Sequence, residues 1–437
     1  MAQVIGWLGG GGMIAFVLIL ALRCLTLLGW MPVPLPDWRV FRREEPLLRP
    51  ARFSRRDYAA AFVAVLAVQW AVLFFAWLTL NQSGGFGAFL THFWQRFTQA
   101  GDSPHYLFIA QNGYVPSGED AKWIVFYPLY PLCIRLMSLL AGGNFELAGL
   151  LVSQLCWGGC GAVALSLAGH WLPRTRAVWA VGFLAVYPFA FFSMGVYTES
   201  LFLLLCLGCI RLALTGRWGW AGLLGGLAAL CRTQGMVLLL PVLWLWLRAS
   251  QSGRQGLKSL GLLLIPAGWG GYLACNRLVF GDWFAFLEFQ AAPPWYQTTK
   301  WIGENLTQHW NLALQYPGLA SFIYWPQVVL YFVVLALLFW GMFTGARTEW
   351  LIWGGAYLGM TYLAGWMISG PRYLLGCLPV FFLLGSIRCT WLRAALGGLS
   401  ALAFPPPGAL ERGGNPFVKK KKNPPVGVYP KRRFCLQ

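Results

Sequence analysis

Charge is scarce in this chain. Only 11% of its 437 residues are Asp, Glu, Lys or Arg, the acids number 14 and the histidines 4, while 58% are hydrophobic. So few charges cannot solvate the surface of a water-soluble protein of this length, and so much apolar area cannot be hidden in its core; what remains is a membrane protein. Also missing are an H-E-x-x-H, a Walker loop and a G-x-G-x-x-G after a strand, so soluble nucleotide and zinc-hydrolase chemistry is unsupported. No nucleic-acid partner is expected, and no internal repeat is visible. There is no disulfide framework either. Of the 11 cysteines, all but Cys435 lie in or against apolar stretches, where a thiol behaves as a small hydrophobe. Cys206 and Cys209, inside "LLLCLGCIRL", read as packing residues, because a redox pair needs an accessible, activated thiolate.

What is abundant is apolar and aromatic, with 25 Trp and 31 Phe. The rings suit helix packing and anchoring at the headgroup level. The first apolar run, Met13 to Trp30, lacks a preceding basic region and a small-residue cleavage site, and so reads as a retained span. Further runs of roughly 15–23 residues, close to the length that crosses hydrocarbon, fall at 58–80, 147–169, 177–194, 200–215, 219–231, 235–248, 259–280, 323–343, 349–369 and 372–388. The expected fold is therefore all-α and polytopic, with about eleven transmembrane helices.

Arginines orient it. The loop 32–57 holds Arg39, Arg42, Arg43, Arg49, Arg52, Arg55 and Arg56, which places it in the cytoplasm and residues 81–124 outside. Later basic loops stay inside only if Phe126 to Gly143 does not cross. With Pro128 and Pro131 near its start, Arg135 at its middle and too few apolar residues, that segment is expected to be an interfacial helix in the first large external loop. Three regions follow: 1–57, an extra span and an arginine-rich loop; 58–404, the transmembrane domain; and 405–437, a disordered basic tail with eight Lys or Arg against one Glu.

Ionisable residues beside a span are costly and are functional candidates by default. At the outer face the list is short: Asp102 and His105 in "AGDSPHYLFIAQNGY", Glu199 in "YTES", Arg232 in "LCRTQG" and Arg372 in "GPRY". Each has a plainer reading. Asp102 followed by Ser103 and Pro104 also fits a helix N-cap. His105 also fits simple packing, Glu199 a structural ion pair, and the two arginines boundary residues that snorkel.

In order along the chain, "GDSPHYLFIAQNGY", "FYPLYP" (126–131), "YTES" (197–200), "RTQG" (232–235), "FLEFQAAPPW" (286–295) and "PRYLLGCLP" (371–379) resemble the motifs of the GPI mannosyltransferase II (PIG-V-like) family of GT-C membrane glycosyltransferases. The resemblance covers about residues 60–390. It departs in one place, since Gly101 stands where that family usually has Trp, which puts the acceptor pocket in question but leaves the acid in place. The resemblance implies a GT-C-like fold and an inverting hexosyltransferase. Such an enzyme takes a sugar, mannose by kinship, from a polyprenyl- or dolichyl-phosphate donor and gives it to a glycolipid or membrane-near acceptor on the extracytoplasmic face.

A single displacement needs one carboxylate base, and Asp102 is the candidate. The leaving phosphate needs positive charge, for which Arg372 or Arg232 suits. His105, Tyr106, Tyr127, Glu199, Gln290, Trp295 and Tyr373 are candidate substrate- or donor-binding residues. No cofactor or metal is expected. Asp102→Asn is expected to lower transfer by at least about 10²-fold and leave carrier-lipid binding near that of the unaltered protein. The rival reading is a many-span transporter or flippase, and a third is a non-catalytic scaffold. Lacking large luminal insertions and retrieval signals, the chain is expected in a bacterial plasma membrane rather than the endoplasmic reticulum.

Overall fold

The computed structural model describes residues 1–31, 51–80, 85–251, 253, 256–316, 323–365 and 369–403. Arg39, Arg42, Arg43 and Arg49 of the expected cytoplasmic loop, and the basic tail 405–437, lie outside the described residues. Among the described residues the chain is helical, apart from one antiparallel bridge between Thr299 and Ala364. The helices are α1 (Ala2–Leu27), α2 (Arg55–Leu80), α3 (Phe86–Thr98), α4 (Ser103–Asn112), α5 (Leu129–Ser138), α6 (Phe145–Trp171), α7 (Arg174–Ala185), α8 (Glu199–Ala213) and α9 (Trp218–Cys231). There follow α10 (Leu239–Ser250), α11 (Leu264–Phe280), α12 (Ala285–Ala291), α13 (Ile302–Gln315), α14 (Tyr324–Thr344), α15 (Thr348–Tyr362), α16 (Gly370–Leu374), α17 (Pro379–Ser386) and α18 (Thr390–Leu402).

Among the described residues, five stretches are long and apolar enough to cross a membrane: Ala2–Leu27, Arg55–Thr79, Phe145–Trp171, Thr233–Ser250 and Tyr324–Thr344. They coincide with five of the expected spans. The other six are helical but short or interrupted. Helices α7, α8, α9, α11, α15 and α17 have 12, 15, 14, 17, 15 and 8 residues. At about 1.5 Å per residue each falls short of roughly 30 Å of hydrocarbon. The breaks have chemical causes. Pro188 follows the end of α7, and Pro371 and Pro379 sit in the first turns of α16 and α17, where a missing N–H is tolerated, but neither allows one helix to run through both.

The segment 126–143 forms α5, whose 10 residues are too few to cross as one helix. It exposes Leu132, Leu136, Leu139 and Leu140 along one side, and Arg135 donates to the Gln111 carbonyl at the end of α4 (2.8 Å).

Close backbone approach holds the long helices together. A Cβ on Gly161 of α6 would lie 2.6 Å from the Ala61 carbonyl oxygen of α2, so only glycine lets these two helices come so near. Trp157 donates to the Val65 carbonyl across the same contact (3.2 Å). Helix α1 is bound to the later part of the chain. Its fully buried Arg23 donates to Thr348 Oγ1 (3.0 Å) and to the carbonyls of Met342 (3.1 Å) and Ala346 (2.6 Å). That guanidinium satisfies carbonyls left open at the end of α14, where a cation is also favoured by the helix dipole.

Candidate active site

The site forms where helices begin and end. Gly101, at φ +66°, turns the chain from α3 into α4, and Ser103 Oγ donates to the Phe97 carbonyl (3.0 Å), fixing the corner. Asp102 occupies the N-cap position of α4, yet its side chain makes no capping hydrogen bond. It accepts instead from Arg372 Nη1 at 2.6 Å, across 270 positions of sequence. The capping reading of Asp102 is therefore replaced by an ion pair.

Arg372 is held by its surroundings on every side. The short helix that carries it is pinned by Tyr187 Oη donating to the Pro371 carbonyl (2.6 Å) and Tyr357 Oη donating to the Tyr373 carbonyl (3.0 Å). Its guanidinium lies 4.7 Å from the ring centres of both Phe192 and Tyr197, contacts that favour a planar cation. Nε and Nη2 donate to Glu199 Oε1 (2.6 Å) and Oε2 (3.3 Å). Glu199, the first residue of α8, also accepts from Arg232 Nη1 at 2.7 Å. Arg232 ends α9 in extended backbone, donates to Thr198 Oγ1 (3.3 Å), and lies 5.0 Å from the Tyr373 ring centre.

Two carboxylates and two guanidiniums thus meet in one network, and burial divides them. The side chain of Glu199 is 3% exposed, those of Arg372 and Arg232 are 9% and 11%, and that of Asp102 is 34%. Glu199 has both oxygens engaged by the two arginines. It aligns the arginines. Asp102 is the member of the four that opens outward.

Beside Asp102, one helical turn along α4, His105 stacks on Trp123 (ring centres 3.7 Å apart) with Phe126 at 5.3 Å. Trp295 meets Trp123 and Phe126 edge-on at 5.9 and 6.0 Å. Burial holds the His105 imidazole below its usual range, with the Asp102 charge opposing. Tyr106 is buried against Phe126 and Tyr130. Burial, with a smaller push from Asp102, raises its phenol, so it stays protonated.

The expected residues do not all converge. Asp102, Glu199, Arg232 and Arg372 share one network, Tyr373 packs on it, and His105 and Trp295 form an aromatic rim. Tyr127 belongs elsewhere: it shares a 2.5 Å hydrogen bond with Thr233, stacks on Tyr272 (3.8 Å), and joins a separate aromatic cluster. Gln290 donates to Gln297 (2.9 Å) and supports the Trp295 loop. Sequence reasoning missed Phe192, Tyr197 and Trp123 as contact residues. Tyr197 carried a signal, since it lies inside the "YTES" motif; the rings at 123 and 192 were lost among the many other aromatics.

Together these features define a helical membrane protein whose charged site sits at helix ends, with one outward carboxylate set against buried arginines. No family model matches the chain, and no solved structure does. Among curated proteins it is similar to GPI alpha-1,6-mannosyltransferase 2 of Mus musculus, 33% identical over 150 residues, which are 32% of this chain and 29% of the mouse protein. The Rattus norvegicus protein of the same name is 34% identical over 148 residues, 31% of this chain and 29% of the rat protein. The similarity is confined to about a third of this chain. The matched stretch spans less than a third of either relative. Both relatives are mammalian, and nothing in the comparisons supports the bacterial membrane expected from the sequence.

Proposed function

We propose that the protein is an inverting membrane mannosyltransferase of GT-C type. It moves a hexose from a polyprenyl- or dolichyl-phosphate carrier to a glycolipid or membrane-near acceptor at the extracytoplasmic face. The single observation that carries this reading is the carboxylate of Asp102, open on one side and held 2.6 Å from the buried Arg372 on the other. In the displacement, the acceptor hydroxyl attacks the anomeric carbon and gives its proton to Asp102. The bond from that carbon to the phosphate oxygen breaks, and its electron pair leaves with the phosphate. Positive charge at the departing oxygen stabilises that step. The base contributes about 10²–10⁴-fold.

Glu199 keeps the arginines in register, and the His105, Trp123 and Trp295 rim suits the apolar face of a sugar ring. Both carboxylates of the network are engaged by arginine, which supports a reaction without a resident metal; loss of transfer on chelation contradicts that part. About eleven crossings, several of them broken helices, and an interfacial α5 complete the proposed topology. The test is transfer from a radiolabelled polyprenyl-phosphate hexose by the purified protein, across donors carrying different sugars. Absence of transfer from every carrier lipid refutes the proposal.

A further inference from the structure

The donor is an anion, and the four-charge network has nothing to spare for it: Asp102 and Glu199 cancel Arg232 and Arg372. A phosphate approaching this network from outside meets the Asp102 carboxylate first. Glu199 takes Nε and Nη2 of Arg372, the Phe192 and Tyr197 rings lie together against one side of its guanidinium, and Nη1 points to the partly exposed Asp102. This outer, Nη1 edge is where Asp102 sits. Arg232 is farther in and does not touch Asp102.

A further cation lies on the helix docked against this site. The end of α3 is docked on the segment before α8: Val196 N–H donates to the Phe97 carbonyl (3.0 Å) and Tyr197 Oη donates to the Ala100 carbonyl (3.2 Å). Arg96 lies in the last turn of α3, is partly exposed, and has no carboxylate partner among the described residues. The end of α3 that carries Arg96 and the guanidinium of Arg372 thus both border the segment Val196–Tyr197.

Resting on the carrier-phosphate reading above, we propose that Arg96 and the outer edge of Arg372 together seat the phosphate of the donor, which takes the place of the Asp102 carboxylate on Arg372. The exchange frees Asp102 to face the acceptor only once a donor is bound. It also gives the leaving phosphate a cation whose charge no carboxylate cancels. Arg96 is a binding residue in this scheme, and Asp102 and the phosphate are competitors for one guanidinium edge. The plainer role for Arg96, complementing the dipole at the end of α3, predicts slightly lower thermal stability on replacement and no change in phosphate affinity.

The test measures binding of polyprenyl monophosphate, with uncharged polyprenol as the reference lipid, to the full-length protein in nanodiscs. The unaltered protein should prefer the phosphate. Arg96→Gln should weaken phosphate binding by about 10–100-fold, as loss of a charge-assisted contact does. Arg96→Lys should restore most of the affinity, and Arg135→Gln, at the end of α4 away from Asp102, should leave it unchanged. Asp102→Asn, which removes the competing charge, should bind the phosphate several-fold more tightly. This replaces the expectation from the sequence that binding stays the same. Phosphate preference that survives intact in Arg96→Gln overturns the inference and leaves the carrier reading standing, as does an Asp102→Asn protein that binds more weakly. Equal binding of phosphate and polyprenol by the unaltered protein sinks the carrier reading itself.

Discussion

Asp102 and Glu199 carry the same charge and share Arg372, yet they belong to different regions of the site. Glu199, in the inner region, is 3% exposed and spends both oxygens on two arginines; Asp102, on the rim, is 34% exposed and is held by one. The difference in burial assigns their work. A carboxylate enclosed by guanidiniums sets geometry, because it neither meets a substrate nor gives up its partners without leaving buried charge behind. A carboxylate at the rim has one side free and can exchange partners.

The sharpest way to break this division is to neutralise each acid separately. Asp102→Asn preserves size and leaves the inner region intact. Transfer should fall by about 10²–10⁴-fold, with the melting temperature close to that of the unaltered protein, since exposed pairs contribute only about 0–1 kcal/mol. An active Asp102→Asn enzyme ends the mechanism. Glu199→Gln should do the reverse in stability, lowering it by about 3–5 kcal/mol because two arginines lose their counter-charge in a buried place. Denaturant or thermal unfolding in detergent measures it. Near-normal stability in Glu199→Gln would erase the distinction between the two regions. Arg372→Lys lies between these two, keeping charge but losing the fork that joins both acids. It should reduce use of the phosphate-linked donor more than it reduces folding, read as transfer rate against melting temperature.

Much of the charged network was legible in the sequence because charge is so rare. With few ionisable groups near the outer face, Asp102, Glu199, Arg232 and Arg372 stood out, and the structure brings them into contact. The long spans were legible too, since uninterrupted apolar runs at 147–169 and 323–343 have one simple outcome. The rim was harder. Tyr127 and Trp123 are four residues apart in an aromatic-rich loop, and nothing local tells which ring turns toward Asp102 and which toward Tyr272. The count of crossings was obscured for a related reason: hydropathy sums over a window, whereas Pro188, Pro371 and Pro379 act at single positions to break a helix. Arg96 escaped notice because an arginine at a helix end is ordinary, and only the docking of α3 on Tyr197 gives it a neighbourhood.

A smaller effect tests the corner that sets Asp102 on the rim. Gly101 has φ +66°, and a Cβ there would lie 2.5 Å from Tyr197 Oη. Gly101→Ala should cost about 1–3 kcal/mol from strain and displace either Asp102 or the tyrosine that covers Arg372, so transfer should drop along with stability. A silent Gly101→Ala would mean that the corner is compliant and that Asp102 is not held there by the backbone.

The smallest expected effect decides whether His105 belongs with the aromatic rim or with the charged network. Burial against Trp123 and Phe126 depresses its imidazole, whereas the Asp102 charge favours the protonated form, and burial dominates. The folded state therefore prefers neutral His105, while the unfolded chain takes up a proton below about pH 6.5. Since the unfolded state binds more protons in that window, the contribution of His105 to stability is complete above about pH 6.5 and is lost as the pH falls through the lower folded value. Melting curves of the unaltered protein and of His105→Gln should diverge accordingly. The unaltered protein should lose ground to the variant on going from neutral pH to about pH 5, and the difference between them should be constant above neutrality. A change of opposite sign, with acid stabilising the unaltered protein relative to His105→Gln, would show an imidazolium paired with Asp102. In that case His105 joins the charged network, Asp102 has two cationic partners rather than one, and its separation from Glu199 narrows.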